Sequence, residues 1–192
     1  LSVRGSALRF VTGWTDLLRH PACRSLRVLH MRNVYDVDPS LRGGEEMDDQ
    51  LIRTIASRLP ELESLAVGFM PTANFAPLMT LPQLHSLTIV DSAAAASTQL
   101  QLRFPALTRL HLAEMQLNGE RARSFLDSPL MQQQNLQSLT LEGWNGRAPA
   151  AADVTAAFAS MRSLHSLHLH SITGLEAILP HLAHAPILTT LT

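Results

Sequence analysis

Near-copies of the stretch Ser163-Leu164-His165-Ser166-Leu167-His168-Leu169-His170-Ser171-Ile172 recur along the whole chain. Counted from Leu164, leucines stand at the first, fourth and sixth positions of this frame, and an apolar residue stands at the ninth. The first leucine recurs as Leu26, Leu62, Leu84, Leu107, Leu136, Leu164 and Leu188, in steps of 36, 22, 23, 29, 28 and 24 residues. A recurrence of this length predicts a solenoid, in which each unit packs only against its neighbours.

The frame also predicts where the strands lie. Its x-Leu-x-Leu portion alternates polar and apolar residues, which is the period of a strand with one buried face. Strand motifs are expected near residues 1–4, 26–32, 62–68, 84–90, 107–113, 136–142, 164–170 and 188–192. At the amino terminus only a half-copy is present, and there Leu1 and Val3 are aligned with the second and third leucines of the frame.

Segments with helical spacing of apolar residues separate several of these strands. Helices are predicted at about Leu8–Leu18, Met47–Leu59, Glu120–Leu126, Ala151–Met161 and Gly174–Leu182. Asn74–Met79 is expected to form only one or two turns, because Pro77 interrupts it. The conformation of the alanine-rich segment Ser92–Leu102 stays open.

Strand motif, helical return and steps of 22 to 29 residues resemble the leucine-rich repeat family, nearest its ribonuclease-inhibitor-like and other irregular intracellular branches. The resemblance extends over residues 1–192 and implies one α/β domain, with a parallel sheet on a concave face and helices or short turns on the convex side. The chain departs from the family at the ninth position of the frame, where the usual Asn or Cys is replaced. The residues there are Ser6, Val34, Met70, Ser92, Met115, Trp144 and Ile172.

Composition narrows the function further. The net charge is −1, with 15 basic and 16 acidic residues and no block of like charge, which argues against nucleic-acid binding. No apolar run approaches the roughly 18 residues of a membrane span. The chain has one cysteine, Cys23, so no intrachain disulfide can form, and this favours an intracellular setting. Cys23 itself is expected to be a buried apolar residue of the core. Because Leu1 falls within a motif, the chain is expected to be a fragment of a longer protein.

The polar positions of the strands are the expected binding surface, because solenoids of this kind bind along their concave face. Around the middle of the array these positions hold small residues, whereas both ends hold charge or imidazole. The predicted partner-binding residues are Arg4, His30 and Arg32 at one end, and Arg109, His111, Glu142, His168 and His170 at the other. Ser and Thr on a solvent-facing strand would look the same without any partner.

Metal and catalytic sites have weaker support. His168 and His170 lie on one face of a strand and, with Glu142, could bind zinc, but the ligand spacing of a dedicated site is lacking. The acidic loop Tyr35–Asp49 starts like a calcium loop, yet Leu41 stands where glycine is needed and Met47 where glutamate is needed. A solvated docking loop is the favoured interpretation. No phosphate loop or nucleophile elbow occurs, so neither cofactor nor catalysis is expected.

The sequence therefore predicts a noncatalytic module that binds a protein or peptide on its concave face. One alternative is substrate recognition for a larger ubiquitin ligase or effector protein. A third is a structural scaffold that self-associates through open ends of the sheet.

Overall fold

The molecule belongs to the α/β class and is built on one parallel sheet. The computed structural model describes residues 2–4, 11–31, 45–68, 74–90, 101–113, 125–143, 151–172, 176, 180, 182 and 188–191, with backbone alone at 2–4, 11–13, 45–48, 151–154 and 191. In these residues no helix is long and apolar enough to cross a membrane.

Eight parallel strands form the sheet, and their spatial order is their order in the chain. They are β1 Ser2–Arg4, β2 Val28–Met31, β3 Ser64–Gly68, β4 Ser86–Val90, β5 Arg109–Ala113, β6 Ser138–Glu142, β7 Ser166–His170 and β8 Thr190–Leu191. Each strand lies within one of the expected motifs, so the leucine frame located all eight.

Alternation along the strands separates a buried face from an open face. One buried row contains Leu29, Leu65, Leu87, Leu110, Leu139 and Leu167, which are register neighbours and at most 1% exposed. The next buried row contains Met31, Val67, Ile89, Leu112, Leu141 and Leu169. Ile172, at the ninth position, packs against the same core. The inward direction predicted for the frame leucines is confirmed.

In the six frames from Leu26 to Leu164, the first leucine closes a tight turn before its strand. The N–H groups of Leu26, Leu62, Leu84, Leu107, Leu136 and Leu164 donate to the carbonyl three residues earlier, at 3.0 to 3.5 Å. The residues that hold these carbonyls are Cys23, Leu59, Leu81, Phe104, Gln133 and Met161, and all are buried. Five of them are apolar, and Gln133 is the polar exception.

Neighbouring strands are also joined at their starts by carbonyls that accept two hydrogen bonds. The Arg27 carbonyl accepts from the N–H groups of both Glu63 and Ser64, at 2.8 and 2.9 Å. The same pair of hydrogen bonds to one carbonyl recurs between each later pair of neighbouring strands. The acceptors there are the carbonyls of Glu63, His85, Thr108, Gln137 and His165. These repeated bonds fix where each strand begins relative to the strand before it.

Helices cover part of the buried face. Helix α1 spans Val11–Arg19 and packs against α2, Glu45–Arg58. The buried apolar faces of these two helices include Trp14 on α1 and Ile55 on α2, each at most 1% exposed. Helix α3 spans Ala151–Ser160, as the spacing predicted. The segment with Pro77 forms the 3-10 helix Ala76–Thr80, which confirms the short turn. Pro77 stands at the start of this helix and does not interrupt it, because the first helical positions need no backbone N–H donor.

Several expected features lie wholly or mostly outside the described residues. They are Arg32, the conformation of Ser92–Leu102, the ninth-position residues other than Ile172, and the loop Tyr35–Asp49 apart from Glu45–Asp49, which belong to α2. Of the predicted helices Glu120–Leu126 and Gly174–Leu182, only a few residues are described, and Phe125, Leu126, Glu176, Pro180 and Leu182 are helical.

The predicted alignment of β1 is wrong by two residues. Val3 pairs with Leu29 and Arg4 with His30, whereas the frame had placed Arg4 beside Arg32. A shift of one residue would move every side chain to the other face, but a shift of two preserves the alternation. The half-motif at the amino terminus therefore gives no signal that could distinguish the two alignments.

Candidate functional site

The candidate site is the open face of strands β2–β7, the side chains that alternate with the buried leucines. Three rows of register neighbours cross it. The first holds Val28, Ser64, Ser86, Arg109, Ser138 and Ser166. The second holds His30, Ala66, Thr88, His111, Thr140 and His168. The third holds Gly68, Val90, Ala113, Glu142 and His170.

Three of these positions, expected to be exposed, are buried. Ala66 is 2% exposed and Ala113 is 5% exposed, and Gly68 is buried as well. Strands about 4.8 Å apart place larger side chains beside them, so a side chain of one carbon or none is covered from both flanks. Ala66 lies between His30 and Thr88 in this way. These positions shape the surface but offer few atoms to a partner.

The imidazole of His111 pairs with the carboxylate of Glu142 across β5 and β6 on the open face, and this pair is ionic when the imidazole is protonated. The His111 Nε2 atom lies 3.2 Å from the Glu142 Oε2 atom, with the two side chains 28% and 49% exposed. The pair runs diagonally, because the register neighbour of His111 is Thr140. Half-exposed geometry of this kind contributes little to stability but orients both side chains. The predicted residues His111 and Glu142 are thus in direct contact.

His168 and His170 occupy the same face of β7, as the alternation predicted. Their ring centroids lie 6.5 Å apart and their planes differ by 9°. His170 is the register neighbour of Glu142, and His168 that of Thr140. Across the part of the chain that the structure describes, no three His, Cys, Asp or Glu side chains are grouped so that they could hold a metal ion. The imidazoles therefore form a polar surface next to the ion pair.

Arg109 extends from the first row as an exposed side chain. Its register neighbours are Ser86 on β4 and Ser138 on β6, so a serine stands on each side of Arg109 along the first row. Among the residues with described side chains, no carboxylate lies within ion-pair distance of Arg109. Sequence reasoning had singled out Arg109 but not the two serines, although the same frame places them beside it.

The predicted residues at the other end of the sheet are not brought together to the same extent. His30 is half-buried on β2, and the backbone of Arg4 lies beside it through the corrected register. Arg32 lies outside the described residues. The other five predicted residues, Arg109, His111, Glu142, His168 and His170, share one contiguous surface on β5–β7. We call this surface the charged half of the open face.

The sole cysteine belongs to the core rather than to this surface. Cys23 is 7% exposed and its Sγ atom lies 3.4 Å from the Leu17 carbonyl oxygen. Burial among apolar side chains suits a packing role, because a reactive thiol needs access and a positive environment. The prediction that Cys23 is a buried filler is confirmed.

Comparison with known proteins adds no relative. No protein-family model matches the chain, and a search of curated proteins finds no match either. Functional inference therefore starts from the geometry of the open face.

Proposed function

We propose that this chain is a leucine-rich repeat solenoid whose open face, the concave face of that architecture, binds a protein or peptide partner without catalysis. The architecture is supported by strands that follow chain order in one parallel sheet. The same turn and the same pair of hydrogen bonds to one carbonyl precede successive strands. Arrays of stacked units characteristically present one extended binding surface.

The observation that favours binding is the concentration of charge and imidazole on one half of an otherwise small-residue face. Arg109, Glu142 and His170 are exposed, and His111 and His168 are half-buried. None of these side chains contributes to the leucine core, so folding alone does not require them. Exposed clusters of polar groups on a rigid scaffold are the usual means of recognition.

Selection from a random 12-residue peptide library displayed on phage tests the proposal, with the whole chain as bait. Thr140 lies in the middle row between His111 and His168, so a bulky side chain there would obstruct the charged half. We expect Thr140→Trp to weaken selected peptides by about tenfold or more. Gln132→Trp, which adds the same bulk at an exposed turn, is the matched control and should leave the affinity unchanged. Equal affinity for Thr140→Trp and the native chain would contradict binding on this face.

A self-associating scaffold is the rival that a solution measurement separates. Binding as proposed needs no second copy of the chain, so light scattering should give one molar mass over a hundredfold range of concentration. A mass that rises with concentration and is unaffected by Thr140→Trp would favour self-association through the ends of the sheet.

A further inference from the structure

We infer that the partner of the open face is an acidic peptide segment, and that one of its carboxylates binds Arg109 between the hydroxyls of Ser86 and Ser138. This inference rests on the proposed function and specifies the chemistry of the partner.

The first step concerns the charge that remains on the face after internal pairing. Glu142 is already within 3.2 Å of the His111 imidazole. Arg19, Arg27 and Arg53, which lie off the open face, each have a carboxylate within 4.0 Å. Arg109 has none among the described side chains, so its charge is available to a partner.

The second step concerns the hydroxyls beside Arg109. Adjacent strands place Ser86 and Ser138 about 4.8 Å to either side of it. Neither hydroxyl forms a hydrogen bond with another described residue. The hydroxyls of Thr108 and Thr189, in contrast, donate to backbone carbonyls. A carboxylate has two oxygens and only accepts hydrogen bonds, so a row that offers one guanidinium and two hydroxyl donors is complementary to it.

The third step excludes a basic partner. On the described open face of β2–β7, Glu142 is the sole carboxylate, and it is already paired with His111. The same face carries Arg109 and the imidazoles of His30, His168 and His170. A lysine- or arginine-rich segment would meet Arg109 with like charge and would have to compete with His111 for Glu142. Complementary charge steers association and rejects partners of the wrong sign.

The experiment starts from the peptides selected by the native chain. We expect aspartate or glutamate to be enriched at one position, and replacement of that acid by its amide to weaken binding about tenfold. Arg109→Gln should cause a loss of the same size, and the two changes combined should lose little more, because they remove one interaction. Arg162→Gln, at an exposed turn off the face, is the matched control and should not change the affinity.

Three results would overturn the inference. In the first, selected peptides have no enriched acid. In the second, the losses from the peptide amide and from Arg109→Gln are additive, so the two groups do not meet. In the third, a peptide with phosphoserine at the acidic position binds more than tenfold tighter than the carboxylate, which would assign Arg109 to a phosphorylated partner.

Failure of this inference and failure of the proposed function give different results. If Thr140→Trp blocks the peptides but Arg109→Gln has no effect, the open face binds but the acidic anchor is wrong. If no selected peptide is weakened by Thr140→Trp, both proposals are wrong.

Discussion

The two halves of the sheet share one core and differ on the open face. The open face of strands β2–β4 carries Ser64 and Thr88, and Ala66 is buried between its neighbours. Among the described residues of this half of the face, His30 is the one imidazole, and there is no carboxylate or guanidinium. Strands β5–β7 present the charged half. Beneath both halves the same two buried apolar rows continue, and one of them is leucine on every strand from β2 to β7.

This contrast separates the residues that specify the fold from those to which we assign the proposed recognition. The inward rows tolerate only apolar side chains, because each buried leucine removes its surface from water and fills a shaped space. The outward rows are free of that requirement and can differ from strand to strand. The halves differ in polarity and charge only in the outward rows of the strands, which is the pattern that the proposed binding on the open face requires.

The largest expected effect tests whether the cores of the two halves are equivalent. Leu65 and Leu139 are each 0% exposed and occupy the same row on β3 and β6. Leu65→Ala and Leu139→Ala should each lower the free energy of unfolding by about 3 kcal/mol, because each leaves a cavity. Urea unfolding measures both variants. A loss below about 1 kcal/mol at either position would show that its half is loosely packed.

The second prediction concerns the one polar residue in the row of buried turn residues. The Gln133 Oε1 atom accepts from the Phe104 N–H at 2.8 Å, and its Nε2 group donates to the Leu130 carbonyl at 2.8 Å. Gln133→Ala should lower the free energy of unfolding by about 1–3 kcal/mol, because it leaves buried polar groups unpaired. The exposed neighbour supplies the control, since Gln132→Ala should stay within about 0.5 kcal/mol of the native chain.

Gln133→Leu sharpens this test, since leucine occupies the equivalent positions 59 and 81 in the other half. If packing alone matters at this row, Gln133→Leu will restore the native stability. If the hydrogen bonds matter, as we expect, the variant will remain destabilised although it is apolar.

The smallest expected effect compares one ion pair from each half. His111 pairs with Glu142 at 3.2 Å, and Arg27 pairs with Glu63 at 3.2 Å. Double-mutant cycles to alanine should give coupling energies below about 1 kcal/mol for both pairs, since both are substantially exposed. A much larger value for His111–Glu142 would mean that this pair holds β5 and β6 together rather than shaping the surface.

The sequence predicted the sheet well because the leucine frame repeats where a strand must bury one face. It located all eight strands, the open rows and the proximity of His168 to His170. It misaligned Arg4, because a half-motif cannot reveal a shift of two residues. It placed the small residues of the open rows on the exposed face, but Ala66 and Ala113 are buried, because their exposure depends on side chains of adjacent strands. The role of Gln133 was equally hidden, since a glutamine before a strand looks like a surface residue until its partners are known.

The double-acceptor carbonyls have a consequence for redesign of this protein. The residues that hold them, Arg27, Glu63, His85, Thr108, Gln137 and His165, include five residue types, so the bonds do not depend on side-chain chemistry. The strand spacing is thus kept by main-chain atoms, and proline at a donor position such as Glu63 or Ser64 would remove one of those bonds. The outward side chains can then be exchanged strand by strand while the register stays the same. The open face of such a chain can be redesigned without changing its architecture.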